Sequence, residues 1–279
     1  VKALSSANPW MALLSFVFGT FIPWIATAIS LGVFVDKDKR HMVPLFLSQI
    51  MQGFTAVTMP AGVGPAFVNL QYLRKAGYKN TKATAIMSAV VAVQIATTGI
   101  LLIIIGIFTG RNTLSGMIPT GTLAIVLAVI ALLVAIVMAI KPLRKLIVRR
   151  FLPIIRSFGH DLTAVLTQPK KLLWCAAGSV LQNVGLGLAF WSALLAFGYA
   201  NNPIETTFVF LLANTLGSAV PTPGGLGAIE AALALAFSGI GVPSAIAVSA
   251  TLVFRIMTYW LRIPLGAAAM QWLNKHDLI

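Results

Sequence analysis

Charged side chains are scarce in this sequence: 9% of its 279 residues, with only six Asp and Glu among them. A soluble domain carries about 25% charged residues, so the chain has too little polar surface to cover a water-exposed globule. Cysteine occurs once, at Cys175 inside an apolar run, which excludes an intrachain disulfide framework and a thiolate metal site. The three histidines, His41, His160 and His276, are scattered in polar connections. No Walker-type loop, zinc spacing or Ser/His/Asp constellation is present, and the few carboxylates are too dispersed for paired acid–base work. These absences argue against ATP hydrolysis and against an enzyme with its chemistry in this chain. No cofactor and no metal are expected.

Apolar residues are abundant, at 58%, and mean hydropathy is +0.93. Twenty Lys and Arg leave a formal net charge of +14. In a soluble protein that excess would point to nucleic acid. Here the cations cluster at the ends of apolar segments, the pattern of headgroup contact and membrane orientation, so membrane lipid is the expected partner and nucleic acid is not.

Five stretches are long enough to cross a hydrocarbon core of about 30 Å: 9–35, 82–109, 120–140, 172–198 and 243–272. Two further apolar regions, 44–77 and 205–241, are broken near their middles. The breaks are Pro60-Ala61-Gly62-Val63-Gly64-Pro65 and Pro221-Thr222-Pro223-Gly224-Gly225-Leu226-Gly227. Proline removes a helix hydrogen bond and glycine lets the chain reverse, so each region is expected to form a re-entrant hairpin. The expected fold class is all-α integral membrane: about five full transmembrane helices plus two Pro/Gly-broken re-entrant hairpins. The chain reads as a single polytopic membrane domain over 1–279. Trp10, Trp174 and Trp272 fall near expected interfaces, as anchoring aromatics do.

The basic connections are 36–41, 74–82 and 141–171, whereas 110–119 and 199–205 hold only Arg111 and Glu205. Five crossings with two non-crossing hairpins put every basic connection on one side, together with the C-terminal Lys275. That side is expected to be cytoplasmic. Within 141–171, Leu143, Leu146, Ile147, Phe151, Ile154 and Ile155 share one helical arc and Lys141, Lys145, Arg149 and Arg156 the other, with Arg150 an exception. The pattern predicts a basic amphipathic helix lying in the interface, either as a plain positive-inside connection or as an attractor of anionic headgroups.

An offset of 163 lays Pro60, Gly62 and Gly64 on Pro223, Gly225 and Gly227. One further residue brings Gly77 onto Gly241 and Ala83 onto Ala247. Both copies read span, broken hairpin, span, giving a first repeat over 1–109 and a second over 172–279, linked by 120–171. The odd number of intervening crossings predicts an inverted repeat, in which discontinuous helices meet near the midplane and mark the binding site.

Three charges lie within apolar sequence: Glu230, Arg255 and Arg262. Each costs at least about 2.5–3.5 kcal/mol at the bilayer centre unless a partner or wet cavity receives it. Glu230 follows the Pro-Gly break, either as a helix-start carboxylate or as a proton or headgroup-amine site. Arg255 either holds a lipid phosphate bidentately or pairs with Glu230. Arg262, nearer the expected cytoplasmic end, either snorkels or joins Arg255 on phosphate. Gln49, Gln52, Gln94, Gln182, Asn183 and Asn214 serve as interhelical glue or line a polar path. The candidate substrate-binding set is Arg255, Glu230, Arg262, Asn214 and Gln52. The candidate gate is formed by the hairpin tips: Pro60, Gly62, Gly64, Pro221, Pro223, Gly224, Gly225 and Gly227.

The run from Pro221 to Glu230, with Gly241 and Arg255 following, resembles the Pro-x-Pro-Gly-Gly-x-Gly-x-x-Glu signature of the flippase-like membrane domain of lysylphosphatidylglycerol synthetases and related polyprenyl-lipid-associated proteins. The resemblance covers most of the chain and implies that a first spanning segment precedes Val1. It marks Pro223, Gly224, Gly225, Gly227, Glu230 and Arg255. The first copy departs from the pattern, with Gly64-Pro65 where relatives often carry Gly-Glu, and with no Arg in 83–109 where they often carry one further along. The resemblance implies a multi-pass protein of a prokaryotic plasma membrane. Its expected task is to translocate an anionic or aminoacylated phospholipid, or a polyprenyl-phosphate-linked lipid, between leaflets. The alternatives are a non-transporting module that docks a lipid-modifying synthase or glycosyltransferase, and a proton-coupled carrier of a small solute.

Overall fold

The computed structural model describes residues 7–59, 63–109, 167–220, 222–276 and 278, and every regular element among them is helical. We label them α1 (Pro9–Gly32), α2 (Met42–Thr58), α3 (Val63–Lys75), α4 (Asn80–Thr109), α5 (Pro169–Leu195), α6 (Pro203–Ser218), α7 (Ala228–Gly239) and α8 (Ser244–Lys275). Four of these, α1, α4, α5 and α8, are long and apolar enough to cross a membrane. The expected span 120–140 and most of the connection 141–171 lie outside the described residues, as do Pro60, Gly62 and Pro221.

Helix starts are written into the sequence twice in the same way. Asn8 precedes Pro9 and Asn202 precedes Pro203; each Asn side chain accepts a backbone N–H two residues on, from Trp10 at 3.0 Å and Ile204 at 2.9 Å. Such a cap contributes about 1 kcal/mol, and proline at the first helical position forfeits no bond. Both caps sit at one end of the molecule, where Asn8 N–H also donates to Ala196 O at 2.8 Å. The basic loops gather at the other end. There Tyr78 OH donates to Asp36 at 2.8 Å and accepts from the Asp36 N–H at 2.7 Å, while Lys39 and Lys82 lie over the Tyr78 ring.

The two broken regions fold into the hairpins α2–α3 and α6–α7. The first opens toward the basic end and the second toward the Asn8 end. Each is pinched where glycine leaves no side chain between its arms: a Cβ on Gly64 would overlap Thr55 O, and one on Gly217 would lie 2.7 Å from Ile229 Cα. Each hairpin leaves by the same turn. Gly77 (φ 83°) and Gly241 (φ 92°) adopt left-handed backbone. Tyr78 N–H then donates to Leu73 O and Val242 N–H to Phe237 O, both at 3.1 Å, which closes the helix in a Schellman motif. Leu73 and Phe237, and then Ala83 and Ala247, are fully buried at matching positions.

Packing divides into two main cores. Phe190 of α5 stacks on Phe237 of α7 at 4.3 Å between ring centroids, with Phe210 of α6 tilted beside it and Phe254 of α8 edge-on. Leu31, Leu45, Leu73, Ile86 and Cys175 join α1 to α5 at the basic end. Between them α8 crosses α2 almost backbone to backbone: a Cβ on Gly266 would sit 2.6 Å from Phe54 N, and one on Gly53 would sit 2.9 Å from Arg262 O. Small residues permit that approach where lipid offers no hydrophobic drive. The far half of α4 turns Ile103, Ile107 and Phe108 outward, as a lipid-facing surface does.

The hydrogen bond from Tyr78, with Lys82, Lys171 and Lys39 nearby, holds the Asp36 carboxyl below its ordinary range, and burial pushes the Tyr78 phenol up to about 12. Each group is thus tied more tightly in its native charge state than in the unfolded chain. Tyr78→Phe is expected to lower stability in detergent by about 1 kcal/mol across roughly pH 5 to 9. The deficit should shrink below about pH 4, as Asp36 protonates, and above about pH 10, as the phenol ionises. Thermal melts of the two proteins across pH measure it; a deficit independent of pH would contradict the clasp.

Candidate functional site

The second hairpin tip is built for close approach. Pro223–Gly225 forms one 3₁₀ turn, and Gly224 has φ 60°. A side chain at Gly224 would be strained by that backbone and would overlap the Tyr259 ring. The tip carbonyl therefore reaches α8. Arg255 donates from Nη2 to Gly224 O at 3.0 Å and from Nε to Glu230 Oε1 at 2.6 Å, and its guanidinium lies 4.3 Å from the Tyr259 ring centroid. Arg255 is 7% exposed. Of the two fates open to Arg255, the structure shows pairing with Glu230: the guanidinium is shared among a carboxylate, a carbonyl and a ring. Glu230 Oε2 and Tyr259 OH of the groups that hold it, and Thr222 Oγ1 in the hairpin tip, are buried without a hydrogen-bond partner among the described residues.

Arg262 corrects the snorkelling expectation. The helix α8 runs from Ser244 to Lys275, so Arg262 lies near its middle, about 20 Å along the axis from the basic end. That is beyond the reach of its own side chain. Instead it turns inward, donating to Gly19 O and to Thr20 Oγ1 and lying over Trp24. Both helices widen there into π turns, Val17–Phe21 in α1 and Ile256–Trp260 in α8, and Thr20 Oγ1 donates to Met257 O at 3.3 Å. A π turn loosens the local helix ladder, and Arg262 takes a carbonyl within one. No carboxylate pairs with Arg262 among the described residues.

A small polar chamber of about 160 Å³ opens beside this guanidinium, lined also by Gln49, Gln52, Gln182, Thr27 and Tyr259. Gln52 donates to Gln49 Oε1 at 2.6 Å and to Asn69 Oδ1 at 2.9 Å, and Gln49 donates to the same Asn69 oxygen at 3.1 Å. The first hairpin thus presents an amide cluster to Arg262. A second cavity of about 420 Å³ lies between α4, α5 and α6, lined by Gln94, Gln182, Asn183 and Asn214 among others. Gln182 borders both cavities and accepts from Gln94 Nε2 at 3.5 Å; Asn183 donates to Thr98 at 2.9 Å.

The five candidate residues accordingly separate into three places. Arg255 and Glu230 meet each other, Arg262 and Gln52 share the chamber, and Asn214 lines the second cavity. Of the tip residues described, Gly64 serves the arm contact with Thr55, while Pro223, Gly224, Gly225 and Gly227 shape the turn beneath Tyr259. Asn69, Tyr259, Gly19 and Thr20 complete the site and were not singled out from the sequence. The position of Tyr259, one helical turn after Arg255, was the available signal.

Comparison with known proteins supplies the family. Residues 1–266 match the model of the lysylphosphatidylglycerol synthase TM region. The chain belongs to that family. A UPF0104 membrane protein of Methanothermobacter thermautotrophicus is 38% identical over 80 residues, covering 29% of this chain and 24% of that protein. A longer alignment to a UPF0104 membrane protein of the same organism gives 22% identity over 97% of this chain and 87% of the relative. A UPF0104 membrane protein of Methanocaldococcus jannaschii is 30% identical over 92 residues, 33% of this chain and 27% of that one. Membership, with the apolar helices, makes this a multi-pass membrane protein with a lipid-related setting.

In this family member, removing one partner of the Arg255–Glu230 pair leaves a buried, uncompensated charge. Such losses cost about 3–5 kcal/mol, whereas replacing both partners costs much less. Glu230→Ala is therefore expected to destabilise the protein strongly, and Glu230→Met with Arg255→Met to recover most of the loss. A double-mutant cycle on thermal unfolding in detergent checks this; additive losses would show that the two residues act independently.

Proposed function

We propose that the chain is a lipid flippase-like transporter that moves an anionic or aminoacylated phospholipid, or a polyprenyl-phosphate-linked lipid, between leaflets, with no catalysis of its own. The observation that carries the reading is Arg262: a mid-depth guanidinium without a carboxylate partner among the described residues, facing a chamber of amides. A guanidinium of that kind suits a phosphate. The head would pass from the Arg262 chamber to the Asn214 cavity across Gln182, while the tails stay in lipid. Arg255 and Glu230 then act as the fastening of the second tip against α8 rather than as the phosphate site. In this reading 1–279 acts as one membrane domain. Residues 1–109 and 172–279 are inverted repeats joined through 120–171, an arrangement supported by hairpins that open to opposite ends and leave by the same turn.

Reconstituted in vesicles with fluorescent phosphatidylglycerol, the full chain is expected to accelerate leaflet exchange. Arg262→Ala should slow it at least tenfold and Arg262→Lys less, with the fold intact by thermal melt. Exchange unchanged in Arg262→Ala would reject the phosphate site. Exchange absent from the wild-type chain would favour the alternative, a module that docks a lipid-modifying synthase or glycosyltransferase, which the family's name suggests.

The same reading puts the basic end in the cytoplasm of a prokaryotic cell, with the membrane being the plasma membrane. Cys175 is buried, so a Cys175→Ala background is well suited to single-cysteine mapping. Asp38→Cys and Ala200→Cys lie in exposed loops at opposite ends. An impermeant maleimide added to intact cells should label the cysteine at 200 and spare that at 38; the reverse pattern would invert the topology.

A further inference from the structure

A different cavity lies at the basic end, outside the chambers around Arg262. It is a groove of about 720 Å³ between α1, α2 and the start of α5, within the size range of small-molecule sites. Its lining is two-zoned. Ile25, Ile29 and Phe46 form an apolar floor that rises along α1 for about 10 Å, and Lys37, Arg40 and Lys171 stand at its mouth. Trp174 also borders the groove and is largely exposed, as interfacial indoles are.

The charge at the mouth is unbalanced. Among the described residues Asp36 is the one carboxylate lining it, and its Oδ2 already accepts the Tyr78 hydroxyl at 2.8 Å and faces Lys82 at 3.7 Å. Arg40 donates from Nη1 to Gly32 O at 3.2 Å, which braces the guanidinium at the helix end; among the described residues its other N–H groups remain for an outside acceptor. A short apolar slot capped by three cations, at the level where a spanning helix ends, matches one chemistry: a phosphate diester carrying acyl chains.

We infer that this groove binds one anionic phospholipid from the leaflet on the basic side, its phosphate at Lys37, Arg40 and Lys171 and an acyl chain along Ile25 and Ile29. The site stands whether or not the chain transports lipid. Its charge selects anionic over zwitterionic heads, because each cation near the surface favours an anionic lipid about fivefold.

Native mass spectrometry of the full chain, titrated in detergent with phosphatidylglycerol or phosphatidylcholine, tests the site. The wild-type protein should retain phosphatidylglycerol at least tenfold more tightly. Lys37→Gln with Lys171→Gln should cut that preference to about fivefold or less, the share left to Arg40. Ile25→Trp, at a half-exposed position, should weaken retention by blocking the slot, and Arg262→Ala should leave this binding intact. Equal retention of the two lipids, or no effect of the paired Lys variants, would overturn the proposal. Loss in Arg262→Ala alone would assign the lipid to the central chamber. No lipid retained by the wild type would mean that another part of the chain fills the groove.

Discussion

A guanidinium at the depth of Arg255 has no water to retreat to, and the second half of the molecule is organised by that fact. The charge is accepted because three groups come to it: the Glu230 carboxylate, the Gly224 carbonyl and the Tyr259 ring. Each imposes a demand on the chain. Glu230 must sit in the first turn of α7, where the helix dipole also favours a carboxylate. Residue 224 must be glycine, since the carbonyl reaches α8 only from left-handed backbone with no Cβ against the ring. The α6–α7 hairpin is thereby fixed to α8, and the aromatic knot of Phe190, Phe210, Phe237 and Phe254 closes around the same junction.

The first hairpin is held by different means. It carries no buried acid, and its arms meet at Gly64 and Thr55 while amides on α2 and α3 bond to one another. What fastens it is the close crossing of α2 on α8 at Gly53 and Gly266, and the polar clasp of Tyr78 on Asp36 outside the helices. The two hairpins share a turn and a pinch but not an anchor. A neutral amide cluster in one place and an ion pair in the other leave the charge balance asymmetric, with the surplus cation at Arg262.

Much of this was legible in the sequence. Hydropathy and the two Pro-Gly breaks located α1, α4, α5, α8 and both hairpins to within a few residues, because helix length against bilayer thickness and the missing N–H of proline are local properties. The match of Gly77 with Gly241 was legible too, since a left-handed helix end demands glycine wherever it recurs. Side-chain destinations were less so. Two arginines seven residues apart look equivalent on a helical wheel, yet Arg255 finds an acid and Arg262 finds a loosened backbone. The difference arises at two π turns, Val17–Phe21 and Ile256–Trp260, which have no composition signal; they lie where Gly19 lets α1 come close to Thr258 of α8. Asn69 was overlooked for a related reason, lying on a hairpin arm whose facing residues depend on how sharply the tip turns.

The split between the two arginines has a functional consequence. A buried cation already satisfied by a carboxylate gains little from a phosphate, because the ligand would have to displace a charge of the same sign as its own. A cation satisfied, among the described residues, by a carbonyl, a hydroxyl and an indole face loses little neutral bonding when a phosphate approaches, and gains a counter-charge in a low-dielectric setting where that is worth most. In the proposed reading, preference for an anionic head follows from the described acidic residues, none of which pairs with Arg262. Economy in carboxylates, the feature that first marks the sequence as membrane-embedded, is also what leaves Arg262 without an acidic partner, and the groove mouth at Lys37, Arg40 and Lys171 net positive, among the described residues.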